Sequence, residues 1–238
     1  MSAGFDLVVR LDAEAQRRGA LACVAQFDNP GTHSQYGTPY ELTAGVVKPG
    51  MRVLDWGCGN GHFSLLLETL GAAVTGFSFE PRPCLLEGSP DFTFVPGRET
   101  EPRTLPFADN SFDGVFSVGV LEHVWETGGD EPSSLAELSR VLKPGGAFLT
   151  FHFPSSRGWT EPAFRLLGLT QYYHRRRYSA SRIRELWADA GFDIVRMGTY
   201  NFLPRNQLRS LPHAVRSSRT IARLYNGIDR MLGGLLPW

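Results

Sequence analysis

Gly57, Gly59 and Gly61 recur at every second position, directly after the apolar pair Val53-Leu54 and the acid Asp55, with Trp56, Cys58 and Asn60 interleaved. Glycines at this spacing let a backbone turn sharply with positive φ and leave no side chain between the main chain and a ligand. Such a turn can receive a nucleotide-like molecule. A dinucleotide fingerprint needs its third glycine three positions after the second, where His62 stands, so that reading is weak. Asp55 argues further against it. A carboxylate at a strand end repels a pyrophosphate and attracts a ligand that carries an ammonium and a sulfonium. The competing reading is a tight strand-to-helix turn whose glycines only permit packing.

S-adenosylmethionine (AdoMet) carries both of those cations. Asp-x-Gly-x-Gly-x-Gly after an apolar strand, followed by Phe63, Leu66, Leu67 and Leu70 at helical spacing and closed by Gly71, resembles motif I of the Rossmann-like, class I AdoMet-dependent methyltransferases. The stretch from Leu105 to Val124 resembles the fourth-strand segment of that family's small-molecule, type 11-like group. Its turn Asp109-Asn110-Ser111 precedes the strand Val115 to Val118, and the chain breaks at Gly119. An amphipathic helix from Ser133 to Leu142, the turn Lys143-Pro144-Gly145-Gly146 and a strand from Ala147 to Phe153 match the family in kind and order. The resemblance covers residues 45 to 155.

The resemblance implies roles residue by residue. Asp55, Trp56, Gly57, Gly59 and Gly61 form the AdoMet turn. An acid that takes the ribose hydroxyls is expected directly after Phe77, yet Ser78 stands there, with Glu80 two positions on. Glu99 or Glu101, in the loop from Pro96 to Arg103, would meet the adenine amino group. Ser117 to His123, Ser117 and Val118 foremost as cofactor contacts, would lie beside the AdoMet turn, because ligands of a parallel sheet collect at the carboxyl ends of its strands. Tyr36, with Tyr40, would close over the site from an N-terminal lid. In-line transfer to an oxygen acceptor also needs a proton acceptor, and histidine suits that task by its unperturbed pKa. His123 is the first candidate, His152 the second and His174 the third. Each of these histidines could equally be a structural hydrogen-bonding residue.

The resemblance implies an α/β fold: a doubly wound, mainly parallel seven-stranded sheet with an N-terminal helical lid and a C-terminal helical extension. Residues 1–44 read as N-terminal helices and lid, 45–155 as the AdoMet-binding core, 156–204 as a substrate-shaping insertion with the last elements of the sheet, and 205–238 as a basic amphipathic tail. Strands are expected at Ala73 to Phe77, Phe92 to Val95 and Phe192 to Met197. The insertion holds Trp159, Phe164, Tyr172, Tyr173 and the run Arg175-Arg176-Arg177, a mixture suited to a ring-bearing or anionic acceptor.

Composition narrows the class further. The chain has 238 residues, a hydrophobic share of 42% and a formal net charge of zero. Cys23, Cys58 and Cys84 lack metal-ligand spacing, so neither a disulfide framework nor a metal site is read, and a reducing cytoplasm is the simplest setting. No apolar run approaches the length that spans a bilayer. The neutral total conceals an asymmetry: residues 1–150 hold 10 basic and 19 acidic residues, while residues 151–238 hold 14 arginines and 5 acids. In the tail, Leu211, Val215, Ile221, Leu224, Ile228 and Leu232 alternate with Arg216, Arg219, Arg223 and Arg230. Such a helix can lie on an anionic membrane, pack on its own domain, or join two copies in a homodimer.

These readings converge on an AdoMet-dependent methyltransferase acting on a small molecule, by O-methylation of a sugar, a lipid-linked or a natural-product acceptor. Nucleic acid is disfavoured: an Asn/Asp-Pro-Pro-aromatic segment is absent, and Pro83-Cys84 sits on the wrong strand for a cytosine-attacking thiol. RNA methylation and a non-catalytic AdoMet-binding subunit are the alternatives.

Overall fold

The computed structural model describes residues 3–20, 23–24, 29–80, 83–98, 100–168, 174–205, 208 and 211–235. Helices α1 (Ala3–Arg17), α2 (Pro30–His33) and α3 (Gly37–Ala44) precede strand β1 (Arg52–Trp56). Then follow α4 (His62–Thr69), β2 (Ala73–Ser78), β3 (Phe92–Pro96), β4 (Phe112–Val118), α5 (Glu131–Val141) and β5 (Leu142–Phe151). Helices α6 (Thr160–Leu166), α7 (Ala180–Asp189), α8 (His213–Arg216) and α9 (Arg219–Leu235) complete the order. The chain divides into two compact units. One joins Leu42–Phe153 to Ser181–Ile194 and holds the sheet; the other joins Met1–Glu41, Pro154–Ala180 and Val195–Trp238.

In the sheet unit the strand order is β3-β2-β1-β4-β5 and every pairing is parallel. Strands buried on both faces must be apolar throughout, and Val53, Leu54, Val115 and Phe116 are fully buried. The order reverses between β1 and β4, with Asp55 paired to Gly76 on one side and to Phe116 on the other. Helix α4 follows from the spacing of Phe63, Leu66 and Leu67, all buried. It ends where Gly71 adopts φ 87°, with the Ala72 N–H donating to the Leu67 carbonyl. Helix α5 starts at Asp130, whose carboxylate accepts from the Ser133 N–H at 2.8 Å. Its apolar stripe of Leu135, Leu138 and Val141 is buried.

Five strands are present among the described residues rather than the seven expected. The segment Phe192 to Met197, read as a strand from its alternating apolar residues, makes no ladder. Phe192 does pack against Phe148 of β5, beside Trp187 of α7, which stacks on the same ring at 6.0 Å. Beyond it Ile194 and Val195 are exposed, Val195 at 98%. Alternation prepares a segment for pairing, but whether it pairs is decided by packing against neighbours distant in sequence.

The second unit is held by buried polar contacts. The His33 imidazole stands between Asp12 Oδ1, 2.6 Å from Nδ1, and the Tyr40 hydroxyl, 2.9 Å from Nε2. Tyr36 stacks on Tyr40 with ring centroids 5.8 Å apart. Gly4 lets α1 approach the start of α3 closely, since a Cβ there would lie 2.0 Å from the Gly37 carbonyl oxygen. Cys23 is in a disulfide, which corrects the reading of three cysteines outside any bridge; spacing along a chain does not reveal which thiols a fold brings together. Cys58 is free and buried. No helix among the described residues is long and apolar enough to cross a membrane.

Candidate functional site

The carboxyl end of β1 runs straight into the glycine turn. Gly57, Gly59 and Gly61 have φ of 77°, 46° and 82°, the left-handed region that a side chain disfavours. The Gly57 and Cys58 N–H groups both donate to the Phe77 carbonyl, at 2.8 and 3.1 Å, tying the turn to the end of β2. On the other side, a Cβ at Gly57 would lie 2.2 Å from Val120 Cγ2. The turn and the loop after β4 are thus in direct contact at the point where the strand order reverses.

Asp55 is 1% exposed, and its Oδ2 accepts the Ser64 hydroxyl at 2.5 Å, in the first turn of α4. Burial pushes its pKa up to about 7, against the opposing pull of the Ser64 hydrogen bonds. A buried carboxyl poised near neutrality becomes a full anion when a cation arrives beside it. Burial, with the neighbouring Asp55 charge, pushes the Cys58 thiol up strongly, so it stays a protonated packing group. Trp56 is buried beside them.

The departure at Ser78 acquires a structural role. Ser78 is buried, its carbonyl accepts the Gly97 N–H at 2.8 Å, and its hydroxyl accepts the Glu80 N–H at 3.1 Å. That turn carries the Glu80 carboxylate back to the glycines: Oε2 lies 3.6 Å from where a Cβ of Gly59 would be. Glu101 is exposed and faces Arg98 at 3.8 Å. Glu99 lies outside the described residues, as do Tyr172 and Tyr173.

Ser117 follows Phe116 on β4, the strand next to β1, and is fully buried, its Oγ without a hydrogen-bond partner among the described residues. Val118 follows as the last residue of β4 and pairs with Phe151. His123 lies in the loop after β4, with Nδ1 3.0 Å from Glu126 Oε1 and a side chain about one-third exposed. His152, directly after β5, has φ 65°, an unusual conformation for a residue with a side chain. A Cβ at Gly119 would lie 3.9 Å from His152 Cβ and 3.7 Å from Glu122 Oε1, so β4 and β5 deliver these groups to one place.

His174 lies in the other unit, hydrogen-bonded to Glu161, and Tyr36 and Tyr40 are buried in their own cluster there. Residue patterns alone did not single out Ser64, Val120, Glu122 or Glu126. Glu122 and Glu126 flank His123 and could have been found from that adjacency. Val120 lies within the stretch expected beside the turn, although its packing on Gly57 was not expected, and nothing local marks Ser64.

An anion at Asp55, an acid at Glu80, an unsatisfied hydroxyl at Ser117 and a turn without side chains together fit a ligand with an amino-acid end, a ribose and a cationic centre. The parallel sheet with its crevice at the reversal of strand order defines a Rossmann-like nucleotide-binding protein. Its sequence relationships narrow this further. The methyltransferase-domain family matches residues 54–150. An uncharacterized methyltransferase of Synechocystis sp. is 30% identical over 159 residues, covering 65% of this chain and 73% of that protein. A demethylmenaquinone methyltransferase of Tropheryma whipplei is 35% identical over 122 residues, covering 50% of this chain and 49% of that protein. The solved structure of an AdoMet-dependent methyltransferase from Aquifex aeolicus shares the fold, with a TM-score of 0.54 and 20% identity over 72% of this chain and 87% of that one. The chain belongs to the class I AdoMet-dependent methyltransferases.

Proposed function

We propose that the chain O-methylates a small acceptor, with a lipid-linked molecule preferred over a sugar or another natural product. AdoMet supplies an activated methyl group bound to a sulfonium. The observation that carries the reading is the convergence of Asp55, Glu80 and Ser117 on the glycine turn, with the His123–Glu126 pair on the loop that touches that turn. In this reading Asp55 neutralises the cationic end of AdoMet, Glu80 accepts both ribose hydroxyls, and the glycines allow close approach of the main chain. Glu126 holds Nδ1 of His123, and the His123 imidazole takes the acceptor's hydroxyl proton. Alignment of acceptor and methyl carbon, with exclusion of water, can supply much of the rate. The preference for a lipid-linked acceptor takes its support from the demethylmenaquinone methyltransferase among the chain's relatives, and bears on the acceptor class rather than on the atom methylated.

Calorimetric titration with AdoMet and S-adenosylhomocysteine, followed by labelled-methyl transfer to fractionated lipid and aqueous extracts, tests this. Micromolar-range binding and label in an alkali-stable lipid product are expected. Label confined to RNA would replace this reading with RNA methylation. Binding without transfer to any fraction would favour a non-catalytic subunit.

A further inference from the structure

Helix α9 is mounted with its polar side inward. Asp229, 3% exposed, accepts the N–H groups of Asn201 and Leu203 at 3.1 and 2.6 Å and pairs with Arg205 at 2.9 Å. The Tyr225 hydroxyl donates to the Pro204 carbonyl at 2.5 Å, and Arg205 donates to Asn226 Oδ1 at 2.5 Å. The apolar side is left outside: Ile221, Leu224, Ile228 and Met231 are 43%, 64%, 50% and 60% exposed. Their spacing of three, four and three residues places them on one stripe. An amphipathic helix that served only to close its own core would bury those four side chains.

The charge around the stripe has one sign. Asp229 is the sole acid of α9, and it is turned inward. Arg219, Arg223 and Arg230 are exposed, and the last two reach back to Asp6 at 3.5 Å and Glu41 at 2.6 Å. Exposed pairs of this kind are weak and open to competition from other anions. The whole unit carries 15 arginines, no lysine and seven acids, a net charge of +8. A second copy docked on the same stripe would bring two such units together. Four side chains also fall short of the 20 to 30 residues a side, roughly, of a stable protein interface. A bilayer with anionic headgroups supplies both the opposite charge and an apolar phase.

We propose that α9 lies in the plane of an anionic membrane surface, with Ile221, Leu224, Ile228 and Met231 inserted at the headgroup–acyl boundary and Arg219, Arg223 and Arg230 among the headgroups. This surface is independent of the acceptor reading, although it would bring a lipid-linked acceptor within reach.

Co-sedimentation of the full chain with vesicles tests it, using phosphatidylcholine alone and phosphatidylcholine with about one-third phosphatidylglycerol. Binding to the anionic vesicles, reduced by salt and weak with phosphatidylcholine alone, is expected. The double variant Leu224→Ser/Ile228→Ser, which changes only exposed positions, should lose more than about tenfold in partitioning while keeping the wild-type circular dichroism spectrum and melting temperature. Arg219→Gln/Arg223→Gln should weaken binding severalfold and flatten its salt dependence. Wild-type protein that stays in solution with both vesicles would overturn the proposal. So would light scattering that shows a dimer which the serine variant abolishes, since a second copy would then own the stripe.

Discussion

Asp55 Oδ2 and the Ser64 hydroxyl lie 2.5 Å apart in a fully buried setting, so the carboxyl proposed to meet the cationic end of AdoMet is held by a neutral donor from the next helix. Its pKa near 7 makes AdoMet binding pH-dependent. In the free protein the group is protonated below that value, and the cationic ligand favours the anion. Affinity should therefore be constant above pH 7 and fall by up to about tenfold per pH unit below it. Titrations across pH 5.5 to 8.5, approximately, read this directly. Ser64→Ala removes the hydroxyl bond that favours the anion, leaves the backbone one, and should move the fall to higher pH.

The same group sets a stability trade. A carboxyl whose folded pKa is raised from 3.8 to about 7 lets the folded state bind the extra proton between those values, so unliganded stability declines as pH rises through that window. Asp55→Asn should raise the melting temperature at pH 8, by a contribution on the order of 4 kcal/mol at most, and should abolish the further rise that AdoMet gives the wild type.

Glu80 is expected to dominate ribose recognition despite its displaced position. Glu80→Gln should weaken S-adenosylhomocysteine binding by about ten- to a hundredfold, the worth of hydrogen bonds to a charged group. Ser78→Ala frees the Glu80 N–H and should cost only severalfold. Equal, small effects of both substitutions in calorimetry would remove Glu80 from the ribose contact.

Gly57 and Val120 form a tight steric pair. Gly57→Ala places a methyl 2.2 Å from Val120 Cγ2 on a backbone with φ 77°, and should destabilise the fold by about 2 to 4 kcal/mol in urea denaturation. Adding Val120→Ala should relieve most of the steric part, with the residue-120 Cβ still 3.2 Å away, and leave the backbone part, about 1 kcal/mol. AdoMet affinity should not recover fully in the double variant.

His123 and His152 separate by readout. His123→Gln should lower kcat by about a hundredfold or more with AdoMet affinity unchanged, and Glu126→Gln should lower it less and shift the acidic limb of its pH profile. His152→Gly should stabilise the protein in thermal denaturation by about 1 kcal/mol, because glycine adopts φ 65° without strain.

Much of this was legible in local patterns because the signals are local. Glycine at every second position can only be a turn, Phe63, Leu66 and Leu67 can share a face only on a helix, and Val115 to Val118 is apolar enough for a buried parallel strand. Where alternation had to find a distant partner, the reading failed: Phe192 reaches the sheet through its ring, while Ile194 and Val195 remain in solvent.

Local pattern in the chain sets the order of elements and the glycine turn with Asp55, and through these its resemblance to the AdoMet-dependent methyltransferases. Folding was needed to reveal that Ser78 organises the turn bringing Glu80 to Gly59, that Ser64 holds Asp55 and Val120 packs on Gly57, and that α9 turns Asp229 inward and its apolar stripe outward. One cause underlies all of these. Backbone conformation is set by neighbours in the chain, whereas the partner of a buried polar group, and the side of a helix that faces water, are set by groups far away in sequence.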